Sequence, residues 1–222
     1  MSLDLSKRFL FRFSLPCRYV PELVEDGAVR LDRSYRLPTL ATLEGDRTAE
    51  ELLDFRIGWN EQGLAMVVEV SGRRQLPWCR PTRPENSEGL QICLDTRDVR
   101  NVHRATRYCH RLFFLPTGEG SRMDQPSALW LPIHRARAHP NPVPVQRIQL
   151  RSEVGRESYR MEIVLPGTAL TGFDPEEHPN LGFHYCLVDR ELGNRTLATQ
   201  SPMPYDENPS LWSTLELLPQ TT

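Results

Sequence analysis

Several chemistries are excluded by what the chain does not contain. The five cysteines, Cys17, Cys79, Cys93, Cys109 and Cys186, are odd in number, scattered, and form no CxxC pair. Neither a zinc knuckle nor a disulfide framework is indicated, and a reducing compartment, the cytoplasm, is the expectation. No stretch approaches the roughly 20 apolar residues of a membrane span. The basic and apolar start "KRFLFRFSLPC" is at the short end for a signal core, is interrupted by Arg12, and has Pro16 where a small residue would precede the cysteine, so it is read as a strand instead. There is no GxSxG elbow, no HExxH, no Ser/His/Asp order and no glycine-rich phosphate loop. Charge of one sign is missing too: 27 basic against 29 acidic side chains leave a formal charge of -2. No global field recruits nucleic acid or an anionic membrane, so any basic site is local.

What is abundant is proline. Nineteen prolines in 222 residues exceed the average share of about 5% and fall between apolar runs, which works against a helical bundle and suits many short strands. Those runs have a period of two. Phe9, Phe11, Phe13 and Leu15 alternate with Leu10, Arg12 and Ser14; "DFRIGWN" and "LAMVVEVSG" read as a hairpin with Phe55, Ile57 and Trp59 on one face. "GLQICLD", with Leu90, Ile92 and Leu94 inward, and "YCHRLFFLP" flank an arginine-rich segment; "RIQLRSEV", "SYRMEIVLP", "LGFHYCLVDRE" and "LWSTLELLP" complete the set. The expected fold is all-β, an antiparallel β-sandwich of immunoglobulin-like or jelly-roll type in a single domain over residues 1–222. Residues 1–53 hold the first strand and, from about Pro16 onward, a segment read as irregular, with "ELVEDGAVRLD" and "LPTLATLEG" as candidate short turns or edge pieces. Residues 117–145, Thr117 to Val145, form a proline-rich insertion whose helix-like piece is "ALWLPIHRARAH".

The order "FRIGWNEQGLAMVVEVSG", "SEGLQICLD", "YRMEIVLPGTAL", "LGFHYCLVDRE", "PSLWSTLEL" resembles the family 9 carbohydrate-binding modules and the related DOMON-type sandwiches, from about Asp54 to Leu218. The resemblance implies a sugar site in which two tryptophans clamp a ring, since an aromatic face packs on the C–H face of a pyranose while polar groups hold its hydroxyls. Carried over residue by residue, the first clamp position falls on Glu85, a departure from the pattern, with Trp78 as substitute. The hydrogen-bonding residue falls on Gln91, the arginine on Arg111 and the second aromatic near Tyr205. The ligand-binding set is therefore Arg111, Gln91, Trp78, Tyr205 and Glu85. The function implied is a non-catalytic module for a saccharide or a polar, anionic small molecule. A structural or protein-interaction domain that has lost sugar binding is the alternative, with a glycosidase-like enzyme third. The sequence does not fix an oligomeric state.

Other features compete with that reading. Arg97, Arg100, Arg104, Arg107 and Arg111 are spaced three, four, three and four, so a helix would put them on one face as an anion site. In a loop they would pair with Asp95, Asp98, Glu85 and Glu88, and that is the expectation for a balanced chain. The DOMON resemblance raises a haem held by Met and His, but Met66 and Met161 occupy inward strand positions, and His103/His110 and His134/His139 lack ligand spacing. No cofactor is expected; Asp95, Asp98 and Asp189 are left as candidates for a structural calcium. Catalytic residues are assigned to none, although Asp95, Glu162, Asp189 and Glu191 would be the carboxylates of a glycosidase. Trp59 and Trp212 are expected in the core.

Overall fold

Alternation decides both where strands form and which face each residue takes. In a computed structural model of the chain, which describes residues 13–39, 52–198 and 203–220, the strands are β1 (Ser14–Tyr19), β2 (Leu53–Asn60), β3 (Gly63–Ser71), β4 (Gly89–Asp95), β5 (Cys109–Glu119), β6 (Gln125–Trp130), β7 (Gln149–Val154), β8 (Ser158–Pro166), β9 (Asn180–Val188), β10 (Arg195–Thr196) and β11 (Ser213–Leu217). They run in the order β6-β5-β4-β9-β11-β1-β2-β3-β8-β7, with β10 on β9. The end strands β6 and β7 come alongside one another, so the ladder nearly closes.

Two sheets face each other because their inward residues are apolar. Phe55, Ile57, Leu64, Met66, Val68, Met161 and Ile163 from β2, β3 and β8 meet Leu90, Ile92, Leu94, Leu112, Phe114, Phe183 and Tyr185 from β4, β5 and β9 in one core. At about 25 cal/mol per Å² of apolar area removed from water, this burial is what chiefly holds the layers together. Met66 and Met161 are fully buried there, as their inward positions predict. Trp59 lies in the same core and donates its indole N–H to the Leu218 carbonyl, at 2.9 Å.

The sandwich departs from an all-antiparallel one at β1. Ser14–Cys17 pair parallel with β11, and Arg18–Tyr19 pair parallel with β2. One short strand therefore belongs to both sheets and changes sheet at a single step. Phe13 packs on the core, whereas Phe9 and Phe11, assigned to the same strand, lie outside the described residues.

Part of the N-terminal segment read as irregular has a defined packing role. Beyond β1 the chain folds over the outer face of the β2-β3-β8 sheet, where Val20, Leu23, Val29 and Leu31 cover Ala65, Val67 and Val164. Asp26 and Gly27, with φ of 50° and 77°, make the two-residue turn between the bridged Glu25 and Ala28, the geometry in which Asp-Gly is favoured. The Val29 backbone N–H then donates to Glu162 at 3.1 Å.

The proline-rich segment also contains more order than its composition suggests. Thr117–Glu119 end β5, and Ala128 to Trp130, read as helix-like, form part of β6 paired with Leu112 to Phe114. Pro132 has no backbone N–H to continue the ladder, and the strand stops before it.

Candidate functional site

The sheet β6-β5-β4-β9-β11 carries the predicted residues on the face turned away from the core. With Leu90, Ile92 and Leu94 inward, Gln91, Cys93 and Asp95 of β4 must face outward. The same alternation turns Arg111 and Phe113 of β5, and His184 and Cys186 of β9, to that side. Register then sets them in two rows across three strands: Phe113, Gln91, Cys186, and beside it Arg111, Cys93, His184.

Two segments lie over this patch. Glu85, from the loop between β3 and β4, accepts a hydrogen bond from Arg111 Nη1 at 2.7 Å, and Asp206 forms an ion pair with Nη2 at 3.2 Å. The guanidinium also sits 5.0 Å from the centre of the Phe113 ring. Tyr205 places its ring 4.7 Å from that of His184, tilted by 42°. Trp212 fixes the Tyr205 backbone: it is fully buried beside Cys93 and Cys109, and its indole N–H donates to the Tyr205 carbonyl at 2.6 Å. Trp212 is thus buried as expected, but in a small cluster on the outer face of the sheet.

The patch is covered. Arg111 and Gln91 are each 5% exposed, whereas the side chains of Glu85 and Asp206 are 56% and 37% exposed. Yet several covered polar atoms lack partners. Arg111 Nε and both ring nitrogens of His184 make no hydrogen bond, and the Gln91 amide reaches only the Cys93 thiol, at 3.8 Å. Burial pushes the His184 imidazole down to about 3. It pushes the Cys93 thiol up to about 12 despite the pull of Arg111, the Cys186 thiol up to about 11, and the Tyr205 hydroxyl upward as well. At neutral pH these groups are uncharged.

The structure brings Arg111, Gln91, Tyr205 and Glu85 together; the contacts of Trp78 lead elsewhere. Its backbone N–H donates to Glu88, and the Arg190 guanidinium lies 3.8 Å from the indole centre, with Arg80 at 5.1 Å. Glu88 belongs to a buried ionic group in which Arg73 donates to both Glu88 and Asp189. Asp206, His184 and Phe113 were missed by sequence reasoning. The alternation in "GFHYCLVD" was the available signal for His184 and Cys186; Asp206 had none beyond adjacency to Tyr205.

The arginine segment is a loop between β4 and β5, not a helix. Arg97 donates to the Gly172 carbonyl and lies over the Tyr108 ring, Arg100 reaches Asp98 and Thr214, Arg104 the Arg135 carbonyl, and Arg107 the Tyr108 hydroxyl. Its arginines mostly bind their own loop and its neighbours. The carboxylates considered for calcium are spread apart: Asp95 pairs with Gly182 at one end of β9, while Asp189 follows Val188 at the other. Asp95 accepts the Arg97 and Val99 backbone N–H groups. Among the described residues no group of three or more His, Cys, Asp or Glu is placed to hold a metal. Glu162 faces outward on the opposite sheet and pairs with Arg160, so it does not confront Asp95 across a cleft.

No family model matches the chain, and no curated protein matches it in sequence. Solved structures do match. A family 9 carbohydrate-binding module from Caldicellulosiruptor kristjanssonii, in complex with glucose, superposes with a TM-score of 0.60 at 13% identity, over 94% of this chain and 97% of that one. The same description applies to a complex with cellotriose, where 95% of that chain is covered. The fold is that of the family 9 carbohydrate-binding modules.

Proposed function

We propose that the chain is a non-catalytic binding module for a saccharide, held on the outer face of the β4-β5-β9 strands by Arg111, Gln91 and Tyr205, with Glu85 and Asp206 at the rim. The carrying observation is the set of buried, under-partnered polar groups there. A buried donor or acceptor left unsatisfied costs about 1–3 kcal/mol, and Arg111 Nε and the two His184 nitrogens bear that cost together at one place. A sugar hydroxyl is both donor and acceptor, so once the covering segments that carry Glu85 and Tyr205–Asp206 part, a ring edge can serve the guanidinium, the imidazole and the Gln91 amide alike. The similarity in fold to modules described with glucose and cellotriose supports the same reading. Tyr205 supplies the aromatic surface; Trp78, with Arg190 on its face, is not placed as a second platform.

The test is calorimetric titration with glucose and cello-oligosaccharides, repeated on Arg111→Ala and Gln91→Ala after circular dichroism has shown both variants folded. A charge-assisted hydrogen bond contributes about 1.5–3 kcal/mol, so Arg111→Ala is expected to weaken binding by tenfold or more, and Gln91→Ala by less. No heat from any saccharide with folded protein sinks the reading. That result would favour the structural or protein-interaction alternative, which the ion pairs from Arg111 to Glu85 and Asp206 also suit, because they satisfy two of its donors without a ligand.

A further inference from the structure

The charge of the patch is set by two carboxylates against one guanidinium. Arg111 is shared between Glu85 and Asp206, each through one oxygen, at 2.7 and 3.2 Å. Glu85 Oε2 and Asp206 Oδ1 take no part in those bonds. The buried groups beside Arg111 do not redress the balance, since burial keeps His184, Cys93 and Cys186 neutral. Next to Asp206 along the chain, Glu207 adds a further carboxylate, which His134 meets at 2.9 Å and offsets only when protonated. Arg111 itself is 5% exposed, so a ligand arriving from solvent meets the carboxylates before the guanidinium.

Resting on the saccharide reading, we infer that Glu85 and Asp206 make this a charge-selective site, one that takes an amino sugar in preference to an uncharged ring and rejects a uronic acid. An ammonium group can bond the two free carboxylate oxygens, and its charge brings the local balance to neutrality. A uronate brings a like charge to the same rim, and to take either Nη donor of Arg111 it must displace a carboxylate already paired there. An uncharged ring falls between, bonding the rim through hydroxyls alone. A sequence-level reading of Arg111 as an anion receptor is thereby reversed by its two partners.

The experiment compares three disaccharides of the same size, built of glucosamine, glucose and glucuronic acid, by calorimetry at low salt and mildly acidic pH, with Glu85→Gln/Asp206→Asn alongside the unaltered protein. Glucosamine disaccharide is expected to bind at least tenfold more tightly than cellobiose, and the uronic disaccharide at least tenfold more weakly. The ratio of the first two should fall toward one in the double variant and with added salt, as rim charges are screened. Binding of cellobiose with no charge order, or with the uronic acid favoured, overturns the inference and leaves the saccharide site standing. A protein that is folded yet binds none of the three overturns both.

Discussion

Two buried histidines without hydrogen-bond partners should make the fold acid-labile well above the carboxylate range. His184 is 1% exposed on the outer face of the sheet, and His110 is fully buried where β5 begins. Neither has a side-chain partner for its ring nitrogens. Burial lowers His184 to about 3 and His110 to about 4, the latter against a small opposing pull from the Thr171 backbone. In the unfolded chain both return to an ordinary value near 6.5. The sign follows from linkage: the unfolded state binds the proton first, so stability is complete above about pH 6.5 and falls as the pH drops toward the folded values. Between pH 7 and pH 5 each imidazole removes about 2 kcal/mol, or about 4 kcal/mol for the pair. Asp95 acts the other way, because burial raises its carboxyl. Urea melts at the two pH values read the difference directly. In a thermal scan it corresponds to a fall of roughly 8–16 °C in Tm for a chain of this size. His110→Leu should halve the fall. A wild-type loss below about 1 kcal/mol would refute the reasoning, showing that water or a rearranged partner satisfies both rings.

Two further outcomes follow from the ionic and indole supports of the site. Removing one member of the Arg73, Glu88, Asp189 group, as in Arg73→Met, strands buried carboxylates and should cost about 3–5 kcal/mol in a urea melt; a change under about 1 kcal/mol would mean that the group is hydrated in solution. Trp212→Phe keeps most of the apolar volume but deletes the donor to the Tyr205 carbonyl. It should therefore weaken saccharide binding about tenfold, as expected for a lost hydrogen bond of about 1.4 kcal/mol, while unchanged affinity would show that the indole N–H does not position Tyr205.

The core strands were legible because alternation is a local signal. Phe55, Ile57 and Trp59, and Leu90, Ile92 and Leu94, announce their faces within a few residues, and the structure buries them all. β1 was not legible as a strand of two sheets, since nothing local to Ser14–Tyr19 encodes which neighbour its two halves will meet. Val20, Leu23, Val29 and Leu31 follow no strand period, because they cover the outside of an existing sheet from a looping segment. In "ALWLPIHRARAH" the compatibility of Ala, Leu and Trp with either state hid a strand that only its pairing with Leu112 to Phe114 selects. Within the site, the outward positions of Gln91 and Arg111 follow from the same alternation as the core. Glu85 was within reach as well, as one of the acids expected to pair with the arginine-rich segment; Asp206 was not, because it comes from a loop far along the chain that only the finished sandwich brings back.

At 13% identity the sandwich is kept while the patch can be rebuilt, and the physical demands on the two differ accordingly. The core asks for apolar side chains of suitable volume at alternate positions, which many sequences satisfy. The outward positions carry no such constraint, and there the chain has a carboxylate, Glu85, where the resemblance to sugar-binding modules leads one to expect a clamping tryptophan. The consequence extends beyond one lost ring. Glu85 draws Arg111 toward the rim, Asp206 holds it from the other side, and the guanidinium covers Phe113, so that Tyr205 remains as the aromatic surface of the patch. On the proposed saccharide reading, a site built this way would recognise through charge and hydrogen bonds more than through stacking. Its affinity should be modest where stacking would supply the energy, and its discrimination should depend on ionic strength where a pair of tryptophans would be indifferent to it.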